Sequence, residues 1–145
     1  MYKILTLTLL LLLTCSQLAF SQNDARKANE AYEQGDYERA AELYREALRS
    51  DPDDPRLHFN LGNSLARSGA YEEALHSFGR FKELGSDPRE LALADYNIGH
   101  LMADVQEFES AAEHFQEALR KNPDDDDARH NYELALQRHQ EQQEQ

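Results

Sequence analysis

Covalent chemistry and positive charge are both scarce in this chain. Of its 145 residues, one is Cys and none is Trp. A single Cys makes no internal disulfide and no cysteine-ligated zinc site. Four Pro and six Gly are too few for a collagen-like or linker-like composition. Lys and Arg number 15 against 28 Asp and Glu, a formal net charge of −13. A protein that grips phosphate backbones or anionic lipid needs a basic face, so the expectation is no nucleic acid among its partners. The one long apolar run, Ile4 to Leu13, is interrupted only by Thr6 and Thr8. It falls short of the roughly 20 residues that cross a bilayer.

That run has another reading. Lys3 precedes it, and a more polar stretch ends at Ala19-Phe20-Ser21 before Gln22. A positive start, a short apolar core and a small-x-small site are the marks of a secretory signal peptide. Residues 1–21 are read as that signal, cleaved after Ser21, and the protein as periplasmic or secreted. Leu12-Leu13-Thr14-Cys15 offers an alternative, because it resembles a lipobox. Thr14 departs from that pattern, where Gly, Ala or Ser normally precedes the Cys. Lipidation at Cys15 would anchor the protein to a membrane face.

The rest of the chain repeats itself. Gly35 and Gly69, Tyr37 and Tyr71, and Ala40 and Ala74 are each 34 apart. A third copy begins at Phe108, and Ala74 to Ala111 is 37, with the extra residues placed near Gly85-Ser86-Asp87-Pro88. Each copy reads as two helices. Tyr37, Ala40, Ala41, Tyr44, Ala47 and Leu48 form one helical face; Phe108, Ala111, Ala112, Phe115, Ala118 and Leu119 form another. Asp54-Pro55 and Asp87-Pro88 each supply an N-cap and a Pro at the first helical position. Asp51-Pro52 and Asn122-Pro123 end the preceding helices. The pattern predicts helices at about 23–34, 37–50, 55–68, 71–84, 88–105, 108–121 and 125–140, and no strands.

A period of 34, Ala28/Gly62/Gly99 in first helices, the Ala40/Ala74/Ala111 and Tyr44/Phe78/Phe115 series and the Pro52/Pro123 exits together resemble tetratricopeptide repeats. The resemblance implies an all-α, right-handed superhelix of about three helix-turn-helix repeats plus a capping helix. Its repeats fall at about 22–54, 55–87 and 88–124. The capping helix covers 125–140, closing a domain of 22–140, and 141–145 is read as a disordered tail. The small residues would let paired helices approach, and the aromatic series would fill the space between repeats. Three positions depart from the pattern. Lys27 stands where Leu61 and Ile98 provide core. Gln106 replaces the turn Gly, and Phe81 replaces a small Ala, with Gly79 nearby to make room. Asn131, Leu134 and Leu136 carry the register into the last helix.

The stretch Asn122-Pro123-Asp124-Asp125-Asp126-Asp127-Ala128-Arg129-His130-Asn131-Tyr132-Glu133-Leu134-Ala135 is similar to the end of secreted repeat proteins of the Bacteroides aerotolerance type. That likeness implies a bacterial cell-envelope setting, with a von Willebrand factor A-domain membrane protein as partner and an AAA+ ATPase in the same system.

Catalytic patterns are not found: no phosphate-binding Gly loop, no nucleophile elbow and no paired His at metal spacing. His58, His76, His100, His114, His130 and His139 are spread along the repeats. The run Asp124 to Asp127 lacks the Gly and distal Glu of a calcium loop and reads as helix-start acids. No enzyme activity, cofactor or metal is therefore expected. The expected function is protein–protein interaction through a concave groove lined by first helices. Asn29, Arg56, Phe59, Asn60, Asn63, Arg67, Tyr96, Asn97, His100 and Asn131 are the candidate partner-binding residues. An Asn amide both donates and accepts, so it grips a peptide backbone; bonding to neighbouring first helices is the other reading. Some domains of this family clamp a C-terminal carboxylate with basic side chains. Ala25, Leu93 and Asn97 occupy those basic places here, so no such clamp is expected. The alternative function is a structural role by self-association, or an envelope lipoprotein scaffold.

Overall fold

A computed structural model describes residues 24–144. The signal peptide and Cys15 lie outside the described residues. The described chain is helical throughout, with no strand. A first helix, α1, covers residues 24–33. It is followed by α2 (Tyr37–Ser50), α3 (Pro55–Arg67), α4 (Tyr71–Leu84), α5 (Pro88–Asp104), α6 (Phe108–Lys121) and α7 (Asp126–Gln143). The chain divides into two compact units at Ala70/Tyr71.

The boundaries follow local chemistry. Asp54 caps α3 by accepting from the Arg56 N–H, and Asp87 caps α5 by accepting from the N–H groups of Arg89 and Glu90; Pro55 and Pro88 open those helices. Asp36 and Asp125 cap α2 and α7 in the same way. Asp126 and Asp127 then lie in the first turn of α7, where the helix dipole favours negative charge. The α1–α2 turn needs a left-handed residue, and Gly35 supplies it with φ +81°. Gln106 takes the same conformation before α6, with φ 64°. The repeat thus imposes the backbone shape even where a side chain opposes it.

In the first unit, Ala28 and Ala31 of α1 are buried with Ala40, Ala41, Tyr44 and Ala47 of α2 and Leu57, Leu61 and Leu65 of α3. Tyr37 and Leu48, at the margins of the expected face, are half-buried. Lys27 is exposed and pairs with Asp24 at 3.2 Å, so it is not part of the core.

In the second unit, α5 packs against α4 and α6, and α6 against α7. Ala111, Ala112, Phe115 and Ala135 form a core cluster, flanked by Tyr96, Met102, Ala103 and Tyr132. Phe115 is buried, which stabilises by about 1.5–3 kcal/mol relative to exposure.

The small-residue contact is more specific than expected. A methyl added at Gly99 would meet the Phe115 ring at 2.7–3.0 Å, so the aromatic ring requires Gly at this position. Gly79 does not make room for Phe81: nothing lies within 4 Å of a methyl added there. Gly85 is the close neighbour, because its methyl would lie 3.0 Å from the Phe81 carbonyl oxygen and 3.7 Å from its ring. In α7 the buried residues are Ala128 and Ala135, whereas Leu134 and Leu136 are exposed. The helix also runs past 140 to Gln143, stitched by Gln137 to Glu141 at 2.8 Å and Gln140 to Glu144 at 3.0 Å. Gln and Glu are good helix formers, so the polar tail extends the helix instead of ending it.

Candidate functional site

Of the residues expected to share one binding face, Asn29, Arg56, Phe59, Asn60, Asn63 and Arg67 belong to the first unit and Tyr96, Asn97, His100 and Asn131 to the second. In the first unit, Asn29, Asn60 and Asn63 line a cavity of about 180 Å³ together with Tyr32, Glu33 and Tyr44. Three helices supply the walls. Asn29, Tyr32 and Glu33 lie on α1 at i, i+3 and i+4 and so share a face; Asn60 and Asn63 share a face of α3 at i and i+3. Tyr44 comes from α2 and forms the buried back wall. Its hydroxyl donates to the Asn29 side-chain oxygen. Burial, reinforced by Tyr32 and Glu33, pushes the Tyr44 phenol up to about 12, so it stays protonated and remains a donor.

The two expected arginines turn elsewhere. Arg56 folds back on its own N-cap, donating to Asp54 through Nε at 3.1 Å and Nη2 at 2.7 Å. This pairing holds the Asp54 carboxyl below its ordinary range. Arg67 lies over the Tyr37 ring, 4.9 Å from its centroid, and donates to its hydroxyl at 2.8 Å. Neither lines the cavity. Phe59 is half-buried on α3.

In the second unit, Tyr96, His100 and Asn131 come together. The Asn131 amide donates to the Tyr96 hydroxyl at 3.0 Å and lies 3.3 Å from His100 Nε2. Burial lowers the His100 pKa from its ordinary value, against a smaller opposing effect of Asp104, so the neutral ring accepts that bond. Both aromatic rings meet Phe115 edge-on, with centroids 5.7 Å away for Tyr96 and 5.3 Å for His100. His100 and Asn131 also line a second cavity of about 200 Å³, with Phe108, Phe115, Leu134 and Arg138 among its other walls. Asn97 is half-buried on α5 and does not line that cavity.

Sequence reasoning missed Tyr32, Glu33 and Tyr44 as cavity walls. It also missed a buried charge cluster. Asp95 on α5 is fully buried, with Lys121 of α6 at 2.6 Å and Lys82 of α4 in direct contact. The third neighbour, His114, has its Nδ1 3.7 Å away, buried and without a hydrogen bond. Burial works against the Asp95 carboxylate, and its three neighbours outweigh burial, leaving its pKa far below the usual range. A signal was present: Asp95 stands on the same helical face as Ile98 and Gly99, where an apolar residue is the norm. Among the described residues no group of His, Cys, Asp or Glu is arranged to hold a metal ion, and no helix is long and apolar enough to cross a membrane.

A tetratricopeptide repeat family model matches residues 25–84 and 96–142. Similar solved structures include the Sgt2 TPR domain from Aspergillus fumigatus, 20% identical with a TM-score of 0.74 over 86% of this chain and 82% of that one. The TPR2B domain of yeast Sti1, in complex with pHsp70, is 20% identical with a TM-score of 0.72 over 82% and 98% of the two chains. The second TPR domain of human RPAP3, in complex with the HSP70 peptide SGPTIEEVD, is 20% identical with a TM-score of 0.71 over 85% and 98%. No curated protein matches the chain in sequence. At these identities the structural likeness concerns the fold.

Proposed function

We propose, from the premise that this chain belongs to the tetratricopeptide repeat family, that it is a non-catalytic adaptor that binds an extended segment of another protein. One observation carries the reading: three Asn amides converge with two Tyr side chains on one cavity of the first unit. Amides satisfy backbone N–H and C=O groups at once, which is what an extended segment presents. Two of the similar structures are complexes, one with pHsp70 and one with the HSP70 peptide SGPTIEEVD. Here Ala25, Leu93 and Asn97 stand where a carboxylate clamp needs basic side chains, and Arg56 is tied to Asp54, so the segment is not an acidic chain terminus.

The setting we propose is the bacterial envelope, with residues 1–21 as a cleaved signal. The proposed partner is a von Willebrand A-domain membrane protein, on the likeness of residues 122–135 to the aerotolerance type. Selection of a random peptide library on the purified protein, followed by calorimetric titration of the enriched peptide, tests the binding. The double variant Asn60→Ala/Asn63→Ala should bind roughly ten- to a hundredfold more weakly, each lost bond costing about 0.5–1.5 kcal/mol. Its circular dichroism should be unchanged. Equal affinity for wild type and the folded double variant would remove this cavity as the seat of binding.

Self-association is the second reading, favoured by the exposure of Leu93, Val105, Leu134 and Leu136. A sedimentation coefficient that rises with protein concentration would support it.

A further inference from the structure

We infer that the cavity of the first unit receives a Lys or Arg side chain of the bound segment. The inference rests on the binding role proposed above and specifies its chemistry. Of the six described residues that line the cavity, only Glu33 carries a formal charge, and that charge is negative. The other walls are amides and phenols, whose oxygens accept hydrogen bonds from a cation.

Among the described residues no cation lines the cavity. On α1, Arg26 is tied to Glu30 and Lys27 to Asp24. Arg67 is held over Tyr37 and is not among the walls. The unit therefore already holds one guanidinium against a phenol, and Tyr32, in edge contact with Tyr37 at 5.2 Å between centroids, brings a second phenol ring to the cavity. Tyr44 does not contribute an anion, because its phenol is protonated at neutral pH. Its hydroxyl proton goes to the Asn29 oxygen, so the phenol oxygen can act toward a further group as an acceptor. The long-range field agrees: a chain of net charge −13 draws basic partners and repels acidic ones. This is the opposite preference to that for a peptide ending in Glu-Glu-Val-Asp, the sequence held by the human RPAP3 domain.

The test uses the purified protein and a neutral host peptide, capped at both ends, with Arg, Lys, Leu or Glu at its centre. Binding is read from the side-chain amide resonances of Asn29, Asn60 and Asn63. The Arg and Lys peptides should shift those resonances and bind roughly tenfold more tightly than the Leu peptide, with the Glu peptide weakest. Glu33→Gln should abolish the preference, weakening the Arg peptide roughly tenfold and leaving the Leu peptide unchanged. If the Leu or Glu peptide binds as tightly as the Arg peptide at these three amides, the binding role stands and the charge assignment is overturned. If no peptide shifts them, the binding role of the cavity and the charge assignment both fall.

Discussion

At the scale of single residues, two positions hold side chains against their ordinary preference. Gln106 has φ 64°, a conformation that costs an L-residue roughly 1–2 kcal/mol. Gly35 and Gly69 occupy the matching turns at φ +81°. Gln106→Gly should therefore stabilise the protein by about 0.5–1 kcal/mol after the extra unfolded-state entropy of Gly is set against the relief. A higher urea midpoint at unchanged slope is the expected result. Asp95 is the other position. Its folded pKa lies below its unfolded value, so its charge adds stability that is fully present above the unfolded value, near pH 4, and is lost as pH falls below it. Asp95→Asn leaves Lys82 and Lys121 without their buried partner. It should cost about 2–4 kcal/mol at pH 7, less than for a fully buried pair because Lys82 is one-third exposed. The gap in melting temperature between the two proteins should be constant from pH 7 to about pH 5 and narrow steadily from about pH 4 to pH 2.5, without closing there because the folded pKa lies lower still; a constant gap would show that the carboxylate charge is not what holds the three helices.

At the scale of elements, α7 shows how a helix ends when no core compels it to. Its buried residues stop at Ala135; beyond them lie surface pairs, such as Arg138 with Glu141 at 3.1 Å and Gln143 with His139 at 2.8 Å, and one long bond from the Gln142 amide to the Gln106 carbonyl at 3.5 Å. Pairs of this kind contribute about 0.2–0.5 kcal/mol each. Removing residues 137–145 should therefore lower stability by no more than about 1 kcal/mol, and amide exchange there should be far faster than at Ala128 to Ala135. A larger loss in chemical denaturation would mean that the tail is held by more than its own helix and the single Gln142–Gln106 bond. The capped starts of α3 and α5 behave differently, because Asp–Pro fixes both the first bond and the first dihedral.

At the scale of the molecule, acidity and address govern what the protein meets. A net charge of −13 accelerates encounter with basic partners and makes that encounter sensitive to salt. Intact mass of the protein recovered from cells should place its first residue at Gln22, with pyroglutamate as an accepted form. A diacylated Cys15 would move the adaptor to a membrane face, and an intact Met1 would rule out the signal reading.

The helices, most of their ends and the buried faces of α2 and α6 were legible in the sequence, because capping, proline geometry and helical period act over a few residues. The end of α7 and its face were not, since Leu134 and Leu136 are exposed and the helix runs to Gln143. The turn at Gln106 followed from the repeat alone. The Asn residues of the first unit were legible as a set for the same reason, since register places them on common faces. Tertiary structure alone decided which neighbours complete each set. Asp95 meets Lys82 and Lys121, 13 and 26 residues away, and Tyr44 reaches Asn29, 15 residues back. Register says that a side chain faces inward; only the packed arrangement of three helices says what it meets there. For the same reason the bonds of Arg56 to Asp54 and of Arg67 to Tyr37 were not legible. A long flexible side chain takes the nearest carboxylate or ring that packing offers, and neither partner is announced by the period of the repeat.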